Sequence, residues 1–581
     1  MQIQRHVVVI TAAGSRIGRA TAREFSRQGA TVIAADYDLP AAATTADLLT
    51  SEGGRCEAHG LDATDPYTWN RFADNVYRRH GVPRVLVNNT VINAAAPFID
   101  FDAAQWADLV ATNLYGIVTS SRLFAHMMIT ARTRGHIINV ASSGGYVPVP
   151  LNAPYCTVHA AVLMFSESLR MELRQHHIDV TAVCPALNLT RADASRLPGT
   201  ESTRPRQPTA HSRRYPETVA TAAVRSLTNK RAIQPVTARA HISYALSRLS
   251  PAAANTFERL ADVDTDSSKC QPRPAGRADG SLPTTAGIVN KKDIRLLAVT
   301  GAGSGIGRAT AVRFGRTGAR IIVSDINGRA AAETAAMISA AGGNAFAYTL
   351  DVTDPEAYGQ FAERVREEHG ICDVVINNAG IGVVGEIIDT TEADWNRIVG
   401  TNLLGVVHGS RIFAHQMIAA HKPGHIVNVG SAAGFMPTQN LALYATTKAA
   451  VKMLSDCLRA ELATHQIGVS VICPGVIKTD MFATATHPTI AAGAARRRTQ
   501  VAVTITDRFH SLGLLAGPDK VAQAIETAVL RNRALTLVRP EAYAVYALRR
   551  LAPSVLRALV SRASQTRTLD AGIRLGEMLC R

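Results

Sequence analysis

The chain has 581 residues, 47% of them hydrophobic and 19% charged, a globular composition with enough apolar material for a sizeable core. Its 62 basic and 46 acidic side chains give a net charge of +16, but aromatics make up only 5% and no basic cluster is interleaved with them, so no nucleic-acid partner is expected. The eight cysteines have no metal-ligand or CxxC spacing, and no apolar run reaches the ~18 residues of a membrane span, which leads us to expect no metal and a cytoplasmic location.

In chain order, Met1–Ile10 runs straight into Thr11-Ala12-Ala13-Gly14-Ser15-Arg16-Ile17-Gly18 and reads as a strand rather than a cleaved signal. Tyr155-Cys156-Thr157-Val158-His159 follows further on. Both motifs return at a constant offset of 289 residues (Tyr155 to Tyr444), as Thr300-Gly301-Ala302-Gly303-Ser304-Gly305-Ile306-Gly307 and Tyr444-Ala445-Thr446-Thr447-Lys448. A repeat this long is a whole domain, not a solenoid unit. The stretch 262–293, rich in Pro, Gly, Ser, Asp and Lys, reads as a linker.

In the second half the spacing predicts strands at Leu296–Thr300, Arg320–Ser324, Asn344–Leu350, Val374–Asn377, His425–Val429 and Val469–Cys473. Helical stretches such as Gly305–Thr317 and Ala445–Thr464 lie between them. Continuous apolar runs alternating with helices indicate an α/β protein with two Rossmann-like, doubly wound parallel-sheet domains in tandem. The expected division is 1–261 for the first domain, 262–293 for the linker, 294–540 for the second domain and 541–581 for a basic tail. The tail also repeats, at an offset of 302 (Pro251 to Pro553), so the second half carries extra residues around Ala491–Arg498. Their place after a late strand suits a substrate lid.

Glycines between a strand and a helix let backbone approach a pyrophosphate at the helix N-terminus. Gly301, Gly305 and Gly307, with Ser304 and Ile306 between them, have the spacing GxxxGxG. Asp325 ends the second strand, where a carboxylate binds a ribose diol and repels a 2′-phosphate. NAD is therefore expected in preference to NADP. Asp351, after the third strand, is placed for the adenine, and Asn378, Ala379 and Gly380 end the fourth strand beside the cofactor. Pro474, Gly475 and Thr479 follow the strand Val469–Cys473, near the nicotinamide.

Tyr444 and Lys448, four apart on a helix, share a face. An ammonium beside a phenol lowers the tyrosine pKa from ~10, which makes Tyr444 the expected general acid/base. Ser431 is placed to hydrogen-bond the substrate oxygen. Asn402, a poor helix former in a helical stretch, is placed to fix a water near Lys448.

From about Ile294 to Thr479 the second half resembles the short-chain dehydrogenase/reductase family, through TGxxxGIG, NNAG, Ser431, YxxxK and PGxxxT. The resemblance implies a nicotinamide cofactor without metal and hydride exchange between an alcohol and a ketone or aldehyde. It also implies catalytic roles for Asn402, Ser431, Tyr444 and Lys448, and association through the Asn402 and Tyr444 helices. An NAD(H)-binding scaffold without turnover is the alternative.

The first half resembles the same family from His6 to Thr190 and keeps Asp36, Asp62, Asn113, Ser142, Tyr155 and Thr190. It has Ala12 for Gly301, Arg16 for Gly305, Thr90-Val91 for Ala379-Gly380, His159 for Lys448 and Ala186 for Gly475. A catalytically dead partner domain is expected, forming a dimer-like pair within the chain, with homo-oligomers open. A variant enzyme, with Arg16 on phosphate and His159 replacing the lysine, is the other reading. The substrate is expected to be a small hydrophobic alcohol or ketone. The tail has Leu548, Leu551, Val555 and Leu559 interleaved with Arg549, Arg550, Arg557 and Arg562. It reads as a helix packed on its own domain, with peripheral contact at the inner face of a membrane as the alternative.

Overall fold

The structure is a computed structural model and describes residues 3–93, 96–149, 151–186, 214–262, 293–478, 481 and 516–563. Thr190, Thr479, the insertion around Ala491–Arg498, the linker apart from its two end residues, and the tail beyond 563 lie outside the described residues. The chain divides into two compact units. One comprises Met1–Ala95, Ala104–Val147 and Pro154–Phe257, the other Ala96–Ala103, Pro148–Ala153 and Glu258–Arg581.

The first unit holds strands β1 (Val7–Thr11), β2 (Thr31–Asp36), β3 (Arg55–Gly60), β4 (Val85–Asn88), β5 (Gly135–Val140), β6 (Ile178–Cys184) and β7 (Ile233–Pro235), in the order β3-β2-β1-β4-β5-β6-β7. The second holds β8 (Leu296–Thr300), β9 (Arg320–Asp325), β10 (Asn344–Thr349), β11 (Val374–Asn377), β12 (Gly424–Val429), β13 (Ile467–Pro474) and β14 (Leu535–Val538), in the order β10-β9-β8-β11-β12-β13-β14. Every pairing in both sheets is parallel. Both sheets therefore have the expected doubly wound α/β fold.

Strands β8, β11, β12 and β13 are buried at every residue, because helices cover both faces of the sheet. Strand β10 departs from the expected continuous burial. It is an edge strand paired only with β9, and each of its residues is half-buried or exposed. Strands β7 and β14 were not expected: each is only three or four residues long, and β14 sits between Arg533 and Arg539, too short for a period to register. The helices begin where capping chemistry dictates. Asn327 caps the helix Gly328–Ala340 through its side chain. Asp354 caps Pro355–His369, with proline at the first helical position. Thr391 and Asp394 form a reciprocal capping box on Glu392–Val399.

The first tail helix, Pro540–Leu551, packs on the second unit. Its Ala542 is fully buried in a cluster with Phe435, Val471, Cys473 and Leu537. The next helix, Pro553–Ala563, buries Leu556, whereas Leu551, Val555 and Leu559 are exposed. Among the described residues no helix is long and apolar enough to cross a membrane.

In both sheets the direction of winding reverses beside the first strand, between β1 and β4 and between β8 and β11. A crevice opens at the carboxyl ends of the strands at such a switch point. In the second unit those ends carry Thr300, Asp325, Asn377, Val429 and Pro474.

Candidate active site

The glycine loop after β8 is shaped by two close approaches. Gly301 has φ +62°, and a Cβ there would lie 2.8 Å from Ala379 Cα. Gly307 packs against Gly301, and a Cβ on it would come within 2.6 Å of Asn378 Nδ2. The helix Gly305–Gly315 has Ser304 at its N-cap, but the Ser304 side chain makes no capping bond. Its first turn thus presents N–H groups with positive potential that the cap residue does not occupy.

Asp325 holds this loop. Its Oδ2 accepts the Gly303 N–H at 2.8 Å and its Oδ1 accepts the Asn327 N–H at 2.9 Å. A carboxylate has about four acceptor positions, so both oxygens retain capacity for a diol. Asp351 caps a turn: its Oδ1 accepts from Thr353 N at 2.9 Å and from Thr353 Oγ1 at 2.8 Å. Asn378 laces two loops together, donating from Nδ2 to Thr300 O at 2.9 Å and to Gly301 O at 3.1 Å. The N–H groups of Asn378 and Ala379 both donate to Thr300 Oγ1.

Asn402 lies in a wide π-type turn, Gly400–Leu404, between the helices Glu392–Val399 and Gly405–Ala419. Such an insertion re-aims a side chain that a regular helix would misplace. Asn402 Oδ1 accepts the Ile381 N–H at 2.8 Å, and its Nδ2 donates to Ile381 O at 3.0 Å and to Thr447 Oγ1 at 3.3 Å. The carboxamide thus fixes the Ala379–Ile381 loop directly. A Cβ on Gly380 would lie 3.3 Å from Asn402 Oδ1 and 3.6 Å from Lys448 Nζ, so these two groups meet at that glycine.

Tyr444 and Lys448 are buried on the helix Ala442–Leu462. Lys448 Nζ lies 5.6 Å from the centroid of the Tyr444 ring and donates to Val429 O at 2.9 Å. The Ser431 hydroxyl hydrogen-bonds the Tyr444 phenol, and its Oγ accepts the Ala433 N–H at 3.1 Å. One expectation is corrected. Lys448 does not bring the Tyr444 phenol below its ordinary value in this arrangement: burial, the largest cause, pushes it up to about 12 against the opposing pull of the Ser431 bond. Burial also lowers Lys448 to about 8. The ammonium faces the ring and the Val429 carbonyl, and desolvation outweighs its field at the hydroxyl.

Glu541 and Arg539 escaped the sequence reading. Glu541 Oε1 accepts the Val476 N–H at 3.2 Å and the Arg539 Nε–H at 2.7 Å. A Cβ on Gly475 would sit 2.5 Å from the same oxygen. The tail helix therefore clamps the Pro474-Gly475-Val476 loop. A signal did exist: at the tail offset of 302, Glu541 aligns with Arg239, a reversal of charge beside a Gly475-to-Ala186 change.

The first unit keeps much of this frame. Asn113 makes the same pair of bonds to Ile92, and Asp36 accepts the Gly14 N–H at 2.9 Å and the Asp38 N–H at 3.0 Å. Ala12 takes φ +47° where Gly301 has +62°, so the turn survives loss of the glycine at a strain cost of roughly 1–2 kcal/mol. Ser15, unlike Ser304, caps its helix by accepting the Gly18 N–H at 3.0 Å. His159 is fully buried, its ring centroid 4.1 Å from that of Tyr155, and neither ring nitrogen has a hydrogen-bond partner. Burial lowers it to about 3, so it is neutral where the second unit has an amine.

The family model described as short chain dehydrogenase matches residues 6–200 and again 295–489. Over 309 residues the chain is 44% identical to the "Probable oxidoreductase EphD" of Mycobacterium tuberculosis, which covers 53% of this chain and 50% of that protein. The chain thus spans about half the length of that relative. It is 34% identical over 245 residues to a "C alpha-dehydrogenase" of Sphingobium sp., covering 42% of this chain and 80% of that one. A solved short chain dehydrogenase/reductase from Burkholderia phymatum, in complex with NAD, aligns over 46% of this chain and 96% of its own, with 29% identity and a TM-score of 0.42.

Proposed function

Because the chain belongs to the short-chain dehydrogenase family, matched over both repeats, we propose that it is an NAD-dependent oxidoreductase interconverting an alcohol and a ketone or aldehyde, with turnover in the second unit alone. The observation that carries this reading is the buried Ser431–Tyr444 hydrogen bond with Lys448 one helical turn on, set against the unpartnered, neutral His159 of the first unit.

The residues present fit a dinucleotide. The Gly301 and Gly307 approaches leave no room for side chains, and the helix start is uncapped by Ser304. Gly301–Gly307 would hold the pyrophosphate, Asp325 the adenosine ribose, Asp351 the adenine side, and Asn378–Gly380 with Pro474 and Gly475 the nicotinamide half. When bound, the nicotinamide supplies or accepts the hydride. Asp325 favours an unesterified diol, hence NAD over NADP.

Burial keeps the Tyr444 phenol protonated, so it is ready to donate a proton to a carbonyl oxygen that Ser431 orients. Lys448, charged below about 8, stabilises the phenolate that remains. Carbonyl reduction is expected to be level in rate near neutral pH and to fall as pH rises through about 8, where Lys448 loses its proton. A pH–rate profile checks this. The loops beside Ser431 and Tyr444 are tied by the Gly385 N–H donating to Asn440 O at 2.9 Å. Their stretches, Ile381–Glu386 and Ala432–Leu443, are mostly apolar, which favours a hydrophobic substrate.

Glu541→Ala is expected to raise KM for NAD roughly threefold to tenfold with kcat little changed, because the loop loses a charge-assisted hydrogen bond. Glu541→Gln, which still accepts the Val476 N–H, restores most of the loss. Steady-state kinetics with varied NAD reads both. We carry the first unit as a non-catalytic partner fold. Full activity and ordinary stability of residues 294–581 alone would remove the reason for it. The direct test of the function is NADH formation or consumption with a panel of lipophilic alcohols and ketones.

A further inference from the structure

We propose that the outer face of the two tail helices, Pro540–Leu551 and Pro553–Ala563, is a docking surface for an anionic phospholipid bilayer. The inner side of the pair is accounted for. Ala542 and Leu556 are buried, and Glu541 is engaged by Arg539 and the Val476 N–H.

The outer face is apolar where a surface helix is ordinarily polar. On the first helix Tyr543, Ala547 and Leu551 recur at a spacing of one helical turn and are exposed, Tyr543 at 57% and Leu551 at 69%. On the second, Val555, Ala558 and Leu559 share one face and are exposed, Val555 at 48% and Leu559 at 49%. Arg562, one turn beyond Ala558, is exposed on that same face. At 12 and 11 residues the helices are too short to span a bilayer, and the geometry suits lying along its surface.

Charge selects the occupant. From Ala542 to Ala563 the chain carries Arg549, Arg550, Arg557 and Arg562 and no acidic residue. An arginine beside an exposed apolar face lays its methylene stem on the apolar phase and keeps its guanidinium among the headgroups. A tyrosine such as Tyr543 sits at the same depth. A second copy of this face would set arginines against arginines, because a two-fold contact pairs a patch with itself. An anionic lipid surface offers the apolar phase and the counter-charge together.

The first repeat supplies a contrast. At the tail offset of 302 its helices Ala238–Leu249 and Pro251–Asp262 also expose apolar side chains, Ile242 and Leu249. Ser247, Asn255 and Leu260 stand there for Arg549, Arg557 and Arg562, and Glu258 stands for Val560. Only Arg550 has an arginine at the matching position, Arg248. The bilayer surface is therefore assigned to the second tail.

The test is co-sedimentation of the full chain with vesicles of phosphatidylcholine alone and of equal parts phosphatidylcholine and phosphatidylglycerol. Partition into the anionic vesicles is expected to be at least ~10-fold stronger than into the neutral ones and to weaken with added salt. Arg557→Gln with Arg562→Gln is expected to weaken it roughly fivefold for each arginine. Val555→Ser with Leu559→Ser is expected to weaken it at least ~10-fold. Thermal unfolding midpoints are expected to stay unchanged. If a pair lowers the midpoint, the single changes Arg562→Gln and Leu559→Ser, each at an exposed side chain, carry the same test. No sedimentation with anionic vesicles, equal partition into the two kinds, or indifference to either pair overturns the proposal. Self-association that Val555→Ser with Leu559→Ser abolishes, without vesicle binding, also overturns it and assigns the face to a second copy. Capture by polyglutamate without capture by vesicles overturns it in favour of an acidic protein.

Discussion

Tyr444→Phe is expected to cut turnover by roughly 10²–10⁴-fold while NADH affinity changes by less than about threefold. On the proposed reading the buried phenol, hydrogen-bonded to Ser431, is the proton donor, and removing its oxygen leaves the glycine loop, Asp325 and the Asn402 turn in place. The matched change Tyr155→Phe is expected to leave turnover intact. Tyr155 has His159 as its helical neighbour, and that ring is held neutral with both nitrogens unpaired. Steady-state kinetics of the two variants side by side reads the result. Comparable losses from both would place chemistry in the first unit as well.

Lys448→Met is expected to abolish turnover and at the same time to stabilise the fold near neutral pH. Burial lowers the amine from its ordinary 10.5 to about 8. The folded state therefore disfavours the ammonium. The lysine's contribution to stability is fully present above the unfolded value of 10.5 and is lost as pH falls through about 8. Near pH 7 the charged form costs up to about 3 kcal/mol. Its bond to Val429 O offsets roughly 1 kcal/mol of that. Methionine removes the charge with similar volume, for a net gain of about 1–2 kcal/mol. Thermal unfolding at about pH 7 and again above pH 10 checks the sign, since the gain should shrink at the higher pH. An unchanged or lower midpoint near pH 7 would mean that Lys448 is not kept at a cost to stability.

Legibility followed pattern length. Strands β8 and β11 through β13 were readable because burial on both faces forces unbroken apolar runs. Strand β14 was not, because four residues between arginines carry no period. Gly301, Asp325, Asn378, Asn402, Ser431, Tyr444 and Lys448 could each be named from strand ends and helical spacing. Spacing could not show that Asn402 sits in a π-type turn and spends its carboxamide on Ile381 and Thr447. Nor could it show that burial outweighs the Lys448 charge at Tyr444, since desolvation depends on everything packed around the pair. Glu541 reaches Val476 across 65 residues, a contact no local period announces.

The contrast between the units depends on few atoms. Ala12 still reaches the left-handed turn, so the glycine lost there does not change the course of the loop. The Ser15 cap, Val91 in place of Gly380 and the buried His159 leave the fold intact, and on the proposed reading they set the first unit apart from the second.

Calorimetric titration of the full chain with NADH tests the central claim most directly. One NADH per chain is expected, lost when Gly305→Arg writes the first unit's residue into the second and unchanged by Asp36→Asn. Two NADH per chain, or one that survives Gly305→Arg and disappears with Asp36→Asn, would contradict the assignment of the working site to the second unit.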